Sequence, residues 1–221
     1  MNLKLARLLQ LASPTLPVGA YTYSQGLEWA VESSAVTDEA NALQWIGDLL
    51  QYSMGRFEAP LLARMMAACV ARDGERLAQL NARYLASRES AELRAETLQM
   101  AYSLLRLLDE LRMDAVPARQ LPSPTFPAVW AGVAVQWEID GDDALSAYLW
   151  SWLENQTMAA LKSVPLGQAA GQRILLALGQ RIAPLARQAH AMPEDAYSNF
   201  APGFAIACSR HETQYTRLFR S

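Results

Sequence analysis

The sequence has few of the side chains that metal sites and nucleophilic catalysis require. Its 221 residues include only two cysteines and two histidines. Cys69 and Cys208 match no CxxC pattern, and a dedicated transition-metal site needs several such ligands close together. We therefore predict no metal site. Two isolated thiols are typical of a reducing compartment, so we expect a cytoplasmic protein.

Sequence motifs that bind nucleotides or carry catalysis are also missing. There is no GxxxxGK[ST] loop, no GxGxxG and no GxSxG. His190 lies near the end of a predicted helix, where a cation complements the helix dipole. His211 lies beside Glu212 in a polar segment, where we do not expect a pocket that excludes water. The sequence thus predicts no catalytic residue and no cofactor, and the protein is not expected to be an enzyme.

Charge of one sign and long apolar runs are scarce as well. The net charge is −3 and the sequence pI is about 5.5. No block of lysine and arginine is present, which argues against nucleic acid and anionic membranes as partners. The longest nearly apolar run, 128–135, is far shorter than the roughly 20 residues that span a bilayer. Arg7 and Gln10 interrupt the N-terminal apolar residues, so no secretory signal is predicted.

What the sequence does contain is apolar residues, 52% in total, at helical spacing. No useful stretch alternates with the period of a strand. We predict an all-α fold, a single-domain bundle of about ten helices covering residues 1–221. The predicted helices lie at about 3–12, 24–32, 38–55, 60–73, 75–86, 90–111, 128–138, 142–164, 165–184 and 204–208.

Prolines and glycines predict how these helices end and pack. Gly55 is expected to stop the third helix, and Pro184 to kink the last long one. The four prolines within 115–127 predict a joint between helices within one domain. Gly167 and Gly171 place two residues without side chains on one helix face, where another helix can approach closely.

The segment 16–29 is the most distinctive part of the chain. Ser24 is a suitable N-cap for a helix that carries Glu28 in its first turn. Tyr21 and Tyr23 lie beside this cap. Two phenolic rings in one loop either pack beneath it or face something outside, and the sequence leaves both alternatives open.

The C-terminal segment, at about 209–221, has the composition of a docking tail. Tyr215, Leu218 and Phe219 recur at three and four residues, so a helix here would present a narrow apolar stripe flanked by arginines. A chain end with so little to bury is poorly held by its own domain. We expect it to be mobile alone and ordered by a partner, although a tail folded back onto its own core is the alternative.

Three passages resemble the urease accessory protein UreF family, in order and over nearly the full length. The first and the last are the specific ones, and Ala20 and Thr22 depart slightly from the commonest forms of the first. The passages are Leu8–Pro14 leading into Leu16–Tyr21 and Ser24-x-Gly26-Leu27-Glu28; Pro165–Gln168 with Gly171-Gln172; and Ser209-x-His211 through Ser221.

This resemblance implies an all-α, non-enzymatic assembly factor that tends to dimerise. It implies a role with a UreD/UreH-type accessory protein and the GTPase UreG in loading nickel into apo-urease. We expect the opening segment to lie on or beside the GTPase face, and the tail to engage the UreD/UreH-type protein. The expected partner-binding residues are Tyr21, Tyr23, Ser24 and Glu28, then Arg210, His211, Glu212, Gln214, Tyr215, Arg217, Leu218, Phe219 and Arg220.

Two other functions compete with this interpretation. In the first alternative, the protein is a GTPase-activating protein that inserts an arginine or glutamine into the active site of the GTPase. Measuring single-turnover GTP hydrolysis by the GTPase would reveal this activity. In the second alternative, the protein is a helical binding protein for a small apolar ligand. This interpretation is favoured only if the fold contains a suitable pocket.

Overall fold

The computed structural model describes residues 3–113 and 116–221. These residues form helices and connecting turns without any strand, which confirms the predicted all-α class. The α-helices are α1 (Leu3–Leu11), α2 (Leu27–Glu32), α3 (Glu39–Leu49), α4 (Ala59–Ala71), α5 (Gly74–Ala86), α6 (Ala91–Glu110), α7 (Phe126–Gln136), α8 (Gly141–Ser163), α9 (Gln168–Ala191) and α10 (Pro202–His211).

The third predicted helix does not end at Gly55. A π-helix, Leu50–Glu58, joins α3 to α4 and makes one uninterrupted helical rod. A Cβ on Gly55 would lie 2.8 Å from Cδ2 of Leu185 and 3.1 Å from the backbone oxygen of Leu50. The glycine therefore permits a close approach of α9 to the rod, and its role is packing within a helix rather than termination.

Two helices begin at residues whose side chains cap them. Asp38 and Ser90 cap α3 and α6 through their side chains, as their residue types favour.

Pro184 lies inside α9, and the helix continues beyond it to Ala191. Gly171 packs against Leu161, at 2.7 Å from an added Cβ to Cδ1, whereas Gly167 faces open space. Only one of the two glycines thus serves close packing.

Helix α7 lies at the centre of the core. Every residue from Phe126 to Ala134 is buried, and α4 and α6 pack against the helix. The ring centroid of Trp130 lies 5.9 Å from that of Phe126 and 5.1 Å from that of Tyr148. Trp150, by contrast, is 38% exposed.

Candidate functional site: the loop and tail face

The two tyrosines of the opening segment have different environments. Tyr21 is 62% exposed, and the ammonium group of Lys162 lies 5.8 Å from its ring centroid. The same ammonium group lies 5.6 Å from the ring of Phe219 in the tail. Tyr23 is buried, and burial raises the pKa of its phenol. Tyr23 therefore packs beneath the loop, whereas Tyr21 lies at the surface.

Ser24 is not the N-cap residue of α2, although its Oγ accepts a hydrogen bond from the N–H of Glu28 in the first turn, at 3.4 Å. The cap is Gly26, whose φ of 77° lies in the left-handed region, and a Cβ there would be 2.9 Å from the backbone nitrogen of Cys208. Ser24 is instead fully buried, and its Oγ donates a hydrogen bond to the backbone oxygen of Ser221 at 2.6 Å. The backbone N–H groups of Ser24 and Gln25 donate to the same oxygen, at 2.7 and 3.0 Å.

Glu28 connects the opening segment to the tail. Its Oε1 accepts a hydrogen bond from the backbone N–H of Leu218 at 2.6 Å, and its Oε2 accepts one from that of Phe219 at 3.1 Å. Its side chain is 9% exposed. A carboxylate with two backbone donors is a strong local anchor, because hydrogen bonds to an ionised acceptor are stronger than neutral ones.

His211 contradicts its sequence-based interpretation. We did not expect it in a pocket that excludes water, yet it is completely buried. It is the last residue of α10, and its two ring nitrogens face two carboxylates. Nε2 lies 3.1 Å from Oε2 of Glu28, and Nδ1 lies 2.6 Å from Oε2 of Glu92. Glu92 also pairs with Arg217 of the tail at 2.5 Å.

A third carboxyl group holds the last residue. Oε1 of Glu96 accepts a hydrogen bond from Nε2 of Gln25, and Oε2 accepts one from Oγ of Ser221, both at 2.7 Å. Burial raises the pKa of the Glu96 carboxyl to about 7, although these two hydrogen bonds oppose the shift. We call the set Glu28, Glu92, Glu96, His211 and Arg217 the tail clamp.

The tail itself differs from the expected helix. Residues beyond α10 form turns, with the N–H of Gln214 donating to the carbonyl of His211 at 3.1 Å. Phe219 and Ser221 are buried against the domain, so the expectation of a chain end with little to bury was wrong. Tyr215 and Leu218, at 101% and 73% exposure, face outward, so no apolar stripe of three residues forms.

Two further predicted tail residues, Glu212 and Arg220, also take part in hydrogen bonds with the rest of the domain. Glu212 accepts hydrogen bonds from the backbone N–H groups of Ala91 and Glu92, at the start of α6. The N–H of Arg220 donates to the carbonyl of Thr22 at 2.8 Å, which ties the tail to the opening loop. Arg210 is exposed on α10. The two predicted partner-binding segments thus contact each other, and we call the surface that they form the loop and tail face.

Sequence reasoning missed Gln25, Glu92 and Glu96. The two glutamates are four residues apart on α6, so they project from one side of the helix. This spacing was an available signal, but alternating acidic and basic residues are more often a solvated surface.

A cavity lies beneath the opening loop, part of whose residues line it. It holds about 180 Å³, and its lining runs from Tyr21 and Lys162 at the surface to buried carboxyl groups, one of them Glu58. Glu58 accepts a hydrogen bond from the hydroxyl of Tyr148 at 2.5 Å and pairs with Arg88 at 3.3 Å. The remaining lining includes Leu16, Val18, Met100, Phe126, Trp130 and Met158.

Within 3–113 and 116–221, no group of three or more His, Cys, Asp or Glu side chains could hold a metal ion. None of the helices described is long and apolar enough to cross a membrane.

Comparisons with known proteins identify the family. The UreF family model matches residues 36–179. A urease accessory protein UreF of Dechloromonas aromatica is 60% identical over 99% of this chain and 98% of its own length. Proteins of the same name from Methylobacillus flagellatus and Pseudomonas fluorescens are 54% and 46% identical, over 98% and 97% of this chain. The chain belongs to the UreF family of urease accessory proteins.

Proposed function

We propose that this protein acts in urease maturation as a non-catalytic, cytoplasmic scaffold, itself a homodimer. It joins a UreD/UreH-type accessory protein to the GTPase UreG and helps direct nickel into apo-urease. The observation that carries this proposal is the loop and tail face, because it brings both predicted partner segments together on one surface.

The exposed residues of this face have the composition of a protein interface. Aromatic residues and arginine are enriched at binding hot spots. Tyr21 and Tyr215 are largely exposed, and Arg220 is exposed on a backbone that is itself held to Thr22. Tyr23, Ser24 and Glu28 are buried beside this surface, so in this proposal they shape it rather than touch the partner.

Alanine substitutions on the exposed residues test the proposal by co-purification with the two partners, with and without GTP and nickel. Tyr21→Ala is expected to weaken capture of the GTPase, and Tyr215→Ala capture of the UreD/UreH-type protein. Tyr102→Ala is the matched control, since Tyr102 is 59% exposed on α6 outside the loop and tail face. Partner capture that is equal in all three variants would refute the assignment of this face.

The non-catalytic part of the proposal has its own test. Single-turnover GTP hydrolysis by the GTPase is measured with and without this protein. We expect no acceleration that depends on an arginine side chain. A fall of about 10³-fold or more on replacing Arg220 with alanine would instead identify an arginine finger and a GTPase-activating protein.

The cavity favours a second candidate function, the binding of a small ligand. Its volume of about 180 Å³ exceeds the roughly 150 Å³ of an engineered cavity that binds benzene. Nε1 of Trp130, in the lining, is buried with no hydrogen-bond partner among the described residues. Benzamide, which has an apolar ring and an oxygen acceptor, should raise the melting temperature if this function is real. No shift at millimolar benzamide would exclude this ligand class.

A further inference from the structure

We propose that Gln25 is the positioning residue of the loop and tail face. Its side-chain amide bridges α6 and α8, and this bridge fixes the loop that presents Tyr21 at the surface. The inference rests on the proposed function and deepens it, because it names the residue that determines where the exposed ring of this face lies. Gln25 is half-buried and acts through the loop rather than by touching a partner.

The backbone of Gln25 has a conformation that is unusual for a residue with a side chain. Its φ is 52°, and the φ of the neighbouring Gly26 is 77°. Residues other than glycine are disfavoured in this left-handed region, and they remain there only where the surrounding structure holds them. The N–H of Gln25 donates to the backbone oxygen of Ser221 at 3.0 Å. The other hydrogen bonds that hold this residue come from its side chain.

The side-chain amide of Gln25 is used at both ends. Its Oε1 accepts a hydrogen bond from the indole N–H of Trp152 at 2.8 Å, and a longer one from Nε2 of Gln156 at 3.5 Å. Its Nε2 donates to Oε1 of Glu96 at 2.7 Å. Because an indole N–H only donates, the amide oxygen must face Trp152 and the amide nitrogen must face Glu96. One side chain therefore joins α8 to α6.

The bridge needs a side chain that ends in both an acceptor and a donor. An ionised glutamate at position 25 would accept from Trp152 but could not donate to Glu96, and lysine or arginine could donate but not accept. Asparagine has the same amide and tolerates the left-handed region, but it is shorter by one methylene group. Glutamine thus combines the required groups with the length that spans the two helices.

One face of α8 holds the loop. Trp152, Asn155 and Gln156 are three and four residues apart, so they lie on the same side of the helix. Nδ2 of Asn155 donates to the backbone oxygen of Tyr23 at 3.1 Å. The other two donate to the side chain of Gln25. The loop is therefore fixed to α8 both through its backbone and through the side chain of Gln25.

Gln25 also connects the loop to the tail. Glu96 of the tail clamp accepts from Gln25 through Oε1 and from Oγ of Ser221 through Oε2, both at 2.7 Å. The backbone oxygen of Ser221 in turn accepts from the N–H of Ser24 at 2.7 Å. Losing the amide at position 25 thus loosens the loop from α8 and from the tail at the same time. Tyr21 lies four residues before Gln25 and is 62% exposed, so its position follows that of the loop.

Amide hydrogen exchange of the full chain tests the positioning role, with the N–H of Ser24 as the reporter of the loop. Gln25→Glu removes the donor and places a second carboxyl group against Glu96, so protection of Ser24 should fall about threefold to tenfold, the range for one hydrogen bond. Adding Glu96→Gln supplies a donor from the other side of the bridge and should restore protection. Glu96→Gln alone keeps an acceptor for Gln25 and should leave protection nearly unchanged.

Gln99→Glu is the matched control, because Gln99 is an exposed glutamine of α6 whose Nε2 donates to Oγ of Ser103 on the same helix at 3.3 Å. It should retain the wild-type protection of Ser24. Unchanged protection in Gln25→Glu would overturn the proposal. A double variant, Gln25→Glu with Glu96→Gln, that is no better protected than Gln25→Glu alone would also overturn it, since swapping the two groups preserves the bridge.

Gln25→Gly covers the case in which Gln25→Glu does not fold. Glycine adopts a positive φ readily, so this variant removes the amide without straining the backbone. The indole N–H of Trp152 then loses its acceptor and should exchange with solvent about threefold to tenfold faster than in the wild-type protein. An indole N–H that exchanges at the wild-type rate would refute the bridge.

Capture of the partner GTPase by the same variants separates this inference from the proposed function. We expect Gln25→Glu to capture less GTPase than the wild type, and the addition of Glu96→Gln to restore capture. If Ser24 loses protection in Gln25→Glu while this variant and Tyr21→Ala both capture the GTPase normally, the role of Gln25 in fixing the loop stands and the partner role is refuted. If Tyr21→Ala weakens capture and Gln25→Glu does not, the face binds its partner without being positioned by Gln25, and the inference fails.

Discussion

Replacing Glu96 with glutamine should stabilise the protein at alkaline pH. Burial raises the pKa of this carboxyl from 4.5 to about 7, so the folded protein prefers its protonated form. The side-chain amide resembles that form. Its oxygen can accept from Nε2 of Gln25, and its N–H group can donate to Oγ of Ser221, the two atoms that contact the carboxyl in the wild type.

The sign and size of the effect follow from linkage. A carboxyl whose pKa is raised by folding favours the folded state most strongly below the unfolded value, and this contribution is lost as the pH rises through the folded value. The window is therefore pH 4.5 to about 7. At about 1.36 kcal/mol per pKa unit, ionisation of Glu96 costs roughly 3 kcal/mol above this window. Glu96→Gln removes that cost.

Urea denaturation at pH 5, 6, 7 and 8 measures the free energy of unfolding of both proteins. The gain from Glu96→Gln should be small at pH 5 and should approach about 3 kcal/mol at pH 8. Glu110→Gln, at an exposed position of the same helix, is the control and should change little. A gain that is independent of pH, or a loss at pH 8, would refute the reasoning.

Three further substitutions have defined outcomes in the same unfolding assay. Gly26→Ala should cost more than Gly19→Ala, because both have φ 77° but only the first meets a backbone atom, at 2.9 Å, whereas nothing lies within 4 Å of the second. Equal costs would contradict this. Arg88→Met should cost about 3 to 5 kcal/mol by leaving the buried Glu58 carboxylate without its cation; a neutral result would show that the pair is dispensable. Glu28→Ala should cost about 2 kcal/mol or more, because buried donors lose their acceptor. An unchanged midpoint would show that the tail anchor is weak.

Helix positions were predictable from the sequence because their causes are local. Periodic apolar residues act within a few residues of one another, and the structure confirms the helices that they predicted. The prediction that Gly55 ends the helix was wrong because the sequence alone does not distinguish a glycine that ends a helix from one that lets a neighbouring helix approach closely. What distinguishes them is Leu185, which α9 brings to within 2.8 Å of an added Cβ.

The environment of His211 could not be predicted in this way, because its partners are distant in sequence. Glu92 is 119 residues from it along the chain and Glu28 is 183 residues away. A local pattern shows a histidine in a polar tail and cannot show two carboxylates converging on it. The same holds for Ser24. Its hydroxyl accepts from the N–H of Glu28, as its residue type favours at a helix start, but it also donates to the backbone oxygen of Ser221, 197 residues away.

The contact between the two ends gives a physical reason for the passages that carried the family resemblance. The specific ones lie at opposite ends of the sequence, and Glu28 of the first binds the backbone of the last through Leu218 and Phe219. A backbone N–H is present in every residue except proline, so this anchor fixes the path of the tail without fixing its side chains. The side chains of Tyr215 and Leu218 are thereby left free to face outward. The buried acidic residue and the exposed apolar ones thus belong to one arrangement, in which the first holds the backbone that presents the second at the surface.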